Sequence, residues 1–131
     1  MSEEFQAELV GSNEERVKLY FEFIQVVIDI MGVKKVGQQG KIKALAVKLQ
    51  RIGLQMMVVA SDEVVETFIK WRAIAMAGEP GNVEKVVETF ADVIFAMRRE
   101  IMGETARKPE DMFIFIKKNV DIRQHIYTIK F

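Results

Sequence analysis

Cysteine is absent from this 131-residue chain, and histidine and tryptophan occur once each. Without cysteine the protein cannot form disulfides, use a thiolate in catalysis or build cysteine-based zinc and iron–sulfur sites. The one histidine, His125, cannot make a multi-histidine zinc site, and no Glu-x-x-His pair of the di-iron bundle type occurs. We therefore expect no metal or cofactor, and a reducing compartment is compatible with this composition.

An excess of charge of either sign is also missing, because nineteen basic residues balance nineteen acidic ones. No overall field draws the chain to nucleic acid or anionic lipid. The longest apolar zone, residues 17–31, is shorter than the roughly 20 residues of a membrane-spanning helix and contains four polar residues. These are Lys18, Glu22, Gln25 and Asp29. With an acidic N-terminal stretch in place of a basic secretory signal, the sequence predicts a cytoplasmic protein without a transmembrane segment.

Half of the residues are apolar, which suffices for one core and predicts a single domain over residues 1–131. Ser12 and Glu15 stand at capping-box spacing, so the first helix is predicted to follow an N-terminal arm of residues 1–11 and to end at Gly32. This helix carries two apolar stripes. One consists of Val17, Tyr20, Ile24, Val27 and Met31, and the other of Leu19, Phe23, Val26 and Ile30. Such a helix is either central in its domain or lends one face to another chain, and we predict that the second stripe forms a dimer.

Four further helices follow from apolar spacing and helix-end residues. The second covers about residues 41–60, and Gly53 inside it predicts close approach of a neighbouring helix. The third begins at Ser61 and stops in the turn "GEPGN"; the fourth is capped by Asn82 and closed by Gly103. A short helix begins at Pro109, and a tail of residues 119–131 ends in the alternating string "HIYTIKF". The predicted fold is all-α, an antiparallel bundle of four main helices plus a short C-terminal helix.

A basic segment coincides with the second helix. Between residues 31 and 61 there are six basic side chains and no acidic one. They are Lys34, Lys35, Lys41, Lys43, Lys48 and Arg51. Clustered basic groups can neutralise phosphates. No aromatic residue lies among them to stack on bases, so pairing with acidic helices or solvation is favoured over nucleic-acid binding.

Two strings, "SDEVVETF" and "FAMRREIMGE", coincide with a helix start and a helix end, where acidic and basic residues suit the helix dipole. Together they resemble a group of uncharacterised, mostly bacterial, cytoplasmic helical proteins with a Ser-Asp-x-Val helix start and an Ala-Met-Arg-Arg-acidic helix end. The resemblance covers residues 60–116 and is carried by Ser61, Asp62, Val64, Phe68, Ala96, Met97, Arg98, Arg99 and Gly103. In that group the region sometimes follows membrane helices, and this sequence predicts none. The resemblance implies a helical fold and a cytoplasmic location, and it implies no activity.

The two helix ends meet in an antiparallel pair. Asp62, beside the cap Ser61, is predicted to lie next to Arg98 and Arg99, where a carboxylate–guanidinium bridge would lock the bundle. If these groups instead faced a shared cleft, they could recognise a small anion or a peptide terminus.

The sequence favours a non-enzymatic helical module for protein interaction and oligomerisation, in an unknown pathway, with no catalytic residue assigned. One alternative is a small-ligand- or metal-binding helical enzyme that uses Asp62, Glu66, Arg98 and Arg99. A second is a nucleic-acid binder that uses the basic second helix. We expect a homodimer or an unidentified protein partner.

Overall fold

The protein is an all-α bundle, as predicted. The structure, a computed structural model, describes the backbone of residues 3–31, 39–79 and 81–119 and the side chains of residues 13–31, 40–79 and 81–116. In these ranges the chain forms helices and no strand. The helices are α1 (Glu3–Met31), α2 (Gln39–Val59), α3 (Asp62–Ala77), α4 (Val83–Met102) and α5 (Pro109–Asn119). His125 and the alternating tail lie outside the described residues.

Helix α1 begins earlier than the sequence predicts. Its backbone is helical from Glu3, so Ser12 lies within the helix and is not its cap. Residues 3–11, predicted as an N-terminal arm, are the first turns of α1. Capping-box spacing is only a possible helix start, and the preceding residues include glutamate, glutamine, alanine and leucine, which favour helix propagation.

The ends of α3, α4 and α5 follow the predicted helix-end residues. The Ser61 hydroxyl accepts a hydrogen bond of 3.3 Å from the Val64 N–H. Gly78 ends α3 with φ of 60°, and Gly103 ends α4 with φ of 79°, conformations that favour glycine. Asn82 stands at the N-cap of α4, but its side chain makes no capping hydrogen bond, so that detail of the prediction is wrong.

The helices pair in two hairpins, as predicted. Helix α1 packs along α2, α3 packs along α4, and α5 packs on α4. Contacts between α2 and α3, and between α1 and α4, are sparser. Helix α2 is therefore attached mainly through α1.

The core is centred on Phe23 of α1. Its ring lies 5.6 Å from that of Phe68 and 5.4 Å from that of Trp71, both in edge-to-face arrangement, and 5.8 Å from that of Phe90. Such pairs contribute about 0.5–1.5 kcal/mol each beyond the burial of their area. One residue of α1 thus connects α3 and α4.

The predicted dimer face of α1 is buried in this core. Leu19, Phe23, Val26 and Ile30 are covered by the chain itself, as are Tyr20, Val27 and Met31 from the other stripe. Both apolar stripes of α1 face other helices of the same chain, which makes α1 the central helix. The assignment of the second stripe to a partner chain is corrected accordingly.

Gly53 lies where α2 meets α3, as predicted from its position inside a helix. A Cβ atom at Gly53 would lie 2.8 Å from Cζ of Phe68. Glycine thus lets the Phe68 ring lie against the α2 backbone. This contact sets the separation of α2 and α3 at one point along their sparse interface.

Candidate functional site

The four residues of the predicted lock lie at one end of the bundle but do not form the predicted bridge. Asp62 is exposed, and in the described part of the chain it is not paired with either arginine. Arg99 lies 3.4 Å from Glu63, one residue further along α3, and both side chains are about half exposed, 51% and 45%. Arg98 donates a 3.2 Å hydrogen bond from Nε to the Thr105 hydroxyl, beyond the end of α4.

A more buried contact at this end is centred on Glu100, whose side chain is only 10% exposed. Its Oε1 lies 2.8 Å from Nη1 of Arg16 and accepts a 3.2 Å hydrogen bond from the Ser61 N–H. Its Oε2 accepts a hydrogen bond from the Tyr20 hydroxyl. One carboxylate thus joins α1, the start of α3 and the last turns of α4.

The surroundings of Tyr20 favour its neutral form. Burial raises the pKa of the Tyr20 hydroxyl well above its ordinary value, and the hydrogen bond and negative charge of Glu100 raise it further. The positive charge of Arg16 and the backbone of Ser61 oppose this rise only in part. Tyr20 is therefore a hydrogen-bond donor in the folded state and no candidate for acid–base work near neutrality.

The sequence analysis did not identify Glu100, although its position near the C-terminal end of a helix was a usable signal. A carboxylate in the last turns of a helix opposes the helix dipole, which costs about 0.3–1 kcal/mol when it is exposed. Such a placement indicates that other groups hold the carboxylate. The partners on α1 and α3 are distant in sequence, so the spacing of residues within α4 does not reveal them.

A small polar groove of about 290 Å³ runs between α3 and α4, beside the first residue of α5. Of the four residues assigned to the enzyme alternative, Asp62, Glu66, Arg98 and Arg99, only Arg99 lines it. Within the described ranges no group of three or more histidine, aspartate or glutamate side chains could hold a metal ion. The enzyme alternative stays a prediction.

Asp92 also lines the polar groove. Burial raises the pKa of its carboxyl group, and the nearby charge of Glu88 adds to the rise. Lys70, from α3, opposes it. The partly buried carboxyl group of Asp92 is thus subject to the opposing charges of one lysine and one glutamate.

An apolar groove lies between α2 and α3, and sequence reasoning did not locate it. It has two adjoining compartments of about 310 and 250 Å³, which share Gln50, Arg72 and Met76. Five large apolar side chains that line these compartments are exposed. They are Val47, Leu54, Met57, Ile69 and Met76. We refer to the two compartments together, with all the residues that line them, as the α2/α3 groove.

The groove forms because α2 has two apolar stripes and packs with only one. Ile52 and Met56 are buried, with Leu45, Leu49 and Val59 partly covered beside them. Val47, Leu54 and Met57 repeat at steps of seven and three on a neighbouring line of the helix, which is the spacing of a second seam. For α1 we reasoned that a helix with two apolar stripes is either central in its domain or lends one face to another chain, and the same reasoning applied to α2 would have identified this seam.

Basic groups border the groove. Lys43 and Arg72 line it, and no acidic residue in the described part of the chain does so. Lys41, Lys48 and Arg51 of α2 are exposed and take part in no ion pair within the described residues. Lys34 and Lys35 lie outside that part of the chain. Of the two interpretations of the basic helix that do not involve nucleic acid, solvation agrees with these positions better than pairing with acidic neighbours.

In the described ranges, none of the helices combines the length and the apolar character needed to cross a lipid bilayer. No protein-family model, curated protein or solved structure matches the chain. The resemblance noted for residues 60–116 therefore stays a prediction, and the candidate site rests on geometry alone.

Proposed function

We propose that this protein is a non-enzymatic interaction module that binds another protein through the α2/α3 groove. The observation that carries the proposal is a continuous row of exposed large apolar side chains on two adjacent helices. Single exposed apolar residues are normal, but a row of them beside a groove is typical of a binding surface.

The location of the groove in the fold supports this assignment. The aromatic core joins α1, α3 and α4, whereas α2 contacts α3 sparsely. A surface between two loosely joined helices can adjust its width when a partner enters. Met57 and Met76 line it, and methionine side chains adapt to differently shaped partners.

The proposal favours a different protein over a second copy of this chain. The stripe on which self-association was predicted, Leu19, Phe23, Val26 and Ile30, is covered within the chain. Two α2/α3 grooves facing each other would also bring Lys43 and Arg72 of both copies together. The proposal includes a cytoplasmic location, which the resemblance implies and a cysteine-free chain is compatible with.

Site-specific photocrosslinking tests the proposal. A photoreactive phenylalanine analogue replaces Leu54 in the groove or, as the matched control, Phe21 on α1; their exposed fractions are 63% and 67%. In native cell extract we expect a discrete adduct from position 54 only, suppressed by excess unlabelled parent protein but not by the Leu54→Lys variant. Equal labelling from both positions, or no adduct from position 54, would contradict the proposal.

Sedimentation equilibrium separates the two kinds of partner. The parent protein is expected to sediment as a monomer at concentrations where the adduct forms. A dimer that Leu54→Lys dissociates would show that the groove binds a second copy instead.

The nucleic-acid alternative rests on the exposed basic groups of α2 and stays a prediction. Retention of the protein on immobilised DNA or RNA would fall steeply with salt if several phosphates were contacted.

A further inference from the structure

We infer that the partner of the α2/α3 groove presents an acidic amphipathic α-helix, an inference that rests on the proposed function and deepens it. The inference combines the shape of the groove with the sign of the charges along it.

The shape favours a helix. The two compartments extend along α2 from Ile42 to Met57, fifteen residues apart, or about 22 Å at 1.5 Å per residue. That length accommodates about four helical turns, whose apolar residues at steps of three and four would enter successive compartments. An extended partner strand would need a sheet edge, and the described part of this chain contains helices only.

The charges favour an acidic partner. Lys43 borders the groove near the start of α2, and Arg72 borders both compartments from α3. Among the residues whose side chains are described, no acidic one lines either compartment. Glutamates beside the apolar stripe of an incoming helix would meet both cations, whereas lysines there would be repelled.

A membrane surface is the other occupant that apolar residues with basic neighbours can suit. Its fit is poorer here because the apolar surface is concave. Phe68 and Trp71 line the two compartments from buried positions, so the groove has a depth that a flat bilayer would leave unfilled. The protruding side chains of a helix would fill that depth.

Two designed peptides test the inference on the full chain. Both have about 18 residues and the same leucine stripe at helical spacing, but one carries glutamate and the other lysine at every flanking position. Fluorescence anisotropy of the labelled peptides gives both dissociation constants. We expect the acidic peptide to bind about tenfold more tightly at about 50 mM salt, with the difference shrinking at about 500 mM.

Charge reversal supplies the decisive variant. In a protein with both Lys43→Glu and Arg72→Glu we expect the preference to invert, so that the basic peptide binds more tightly. Leu54→Lys is expected to weaken both peptides at least about tenfold, whereas Phe21→Lys, the control of similar exposure, leaves both unchanged. Circular dichroism and melting temperature verify that each variant is folded.

The outcomes separate this inference from the proposed function. Equal affinity for both peptides, or a preference that survives the double charge reversal, overturns the acidic partner. If neither peptide binds while crosslinking from position 54 persists, the helical partner is wrong and the interaction module stands. Binding to vesicles of phosphatidylserine and phosphatidylcholine that Leu54→Lys abolishes, without peptide binding, assigns the groove to a membrane and overturns the inference.

Discussion

Replacement of Glu100 by alanine tests whether the contact at the end of the bundle holds three helices together. The variant removes the acceptor for Arg16, for the Tyr20 hydroxyl and for the Ser61 N–H. Glu63→Ala is the control, because Glu63 also pairs with an arginine at this end, Arg99, but is half exposed and lacks the two further donors that Glu100 has.

The expected cost follows from what each partner loses. The Tyr20 hydroxyl is left without its acceptor inside the protein, at about 1–3 kcal/mol. Arg16 is 27% exposed, so its charge regains water only in part, and the loss stays below the 3–5 kcal/mol of breaking a fully buried pair. Removing a carboxylate from the C-terminal turns of α4 also removes its repulsion by the helix dipole, which stabilises the variant by about 0.3–1 kcal/mol. We therefore expect a net loss of about 2–3 kcal/mol.

The control variant is expected to lose far less. An exposed ion pair contributes about 0.2–1 kcal/mol, so Glu63→Ala lies near the lower limit of detection. For a domain of 131 residues, 1 kcal/mol corresponds to about 3.6 °C in melting temperature, which places Glu100→Ala about 7–11 °C below the parent.

Urea denaturation followed by circular dichroism measures both free energies of unfolding, and thermal melts supply an independent comparison. Glu100→Gln, which retains an acceptor but not the charge, should fall between the parent and Glu100→Ala. If the two alanine variants were equally stable, burial of the Glu100 contact would not be what stabilises this end of the molecule.

Three further predictions follow from the core. Gly53→Ala should lower the free energy of unfolding by about 1 kcal/mol. Crowding of the new methyl group against Phe68 costs about 1–3 kcal/mol, and the higher helix propensity of alanine offsets about 1 kcal/mol of this. A variant that is more stable than the parent in urea would contradict the close contact. Phe23→Ala should cost about 3–5 kcal/mol and unfold the monomer, visible in circular dichroism, rather than dissociate a dimer in sedimentation. The raised pKa of Tyr20 means that the folded state keeps a proton that the unfolded state releases above about pH 10, so stability falls as pH rises past this point. Tyr20→Phe should remove that part of the pH slope in denaturant titrations, and an unchanged slope would refute the assignment.

Most of the fold was predictable because its signals are local. Ser61 and Gly78 bound α3, and Gly103 ends α4, where the sequence indicates. Pro109 begins α5 as predicted from its position. The start of α1 was mispredicted because capping-box spacing cannot show whether the residues before it continue the helix.

The candidate site was less predictable. The sequence analysis correctly predicted that the start of α3 lies beside the end of α4. It also predicted an ion pair between Asp62 and the arginines, whereas in the structure Glu63 pairs with Arg99. A shift of one residue turns a side chain by about 100° around the helix. Side-chain partners across a helix pair therefore depend on the rotation of each helix about its axis, which apolar spacing defines only coarsely.

The sequence by itself determined where the helices lie, apart from the start of α1, that α1 carries two apolar stripes, and that α2 is basic; a second stripe is also present in the sequence of α2, although it was not singled out. Only the tertiary structure decided which of these apolar stripes stays exposed to solvent. Both stripes of α1 are covered by the chain's own helices, whereas the second stripe of α2 faces the groove beside α3. The periodicity of apolar residues is a property of one helix, whereas their burial depends on where helices distant in sequence pack against it. Periodicity therefore predicts burial least well at the α2/α3 groove, the surface we propose for binding.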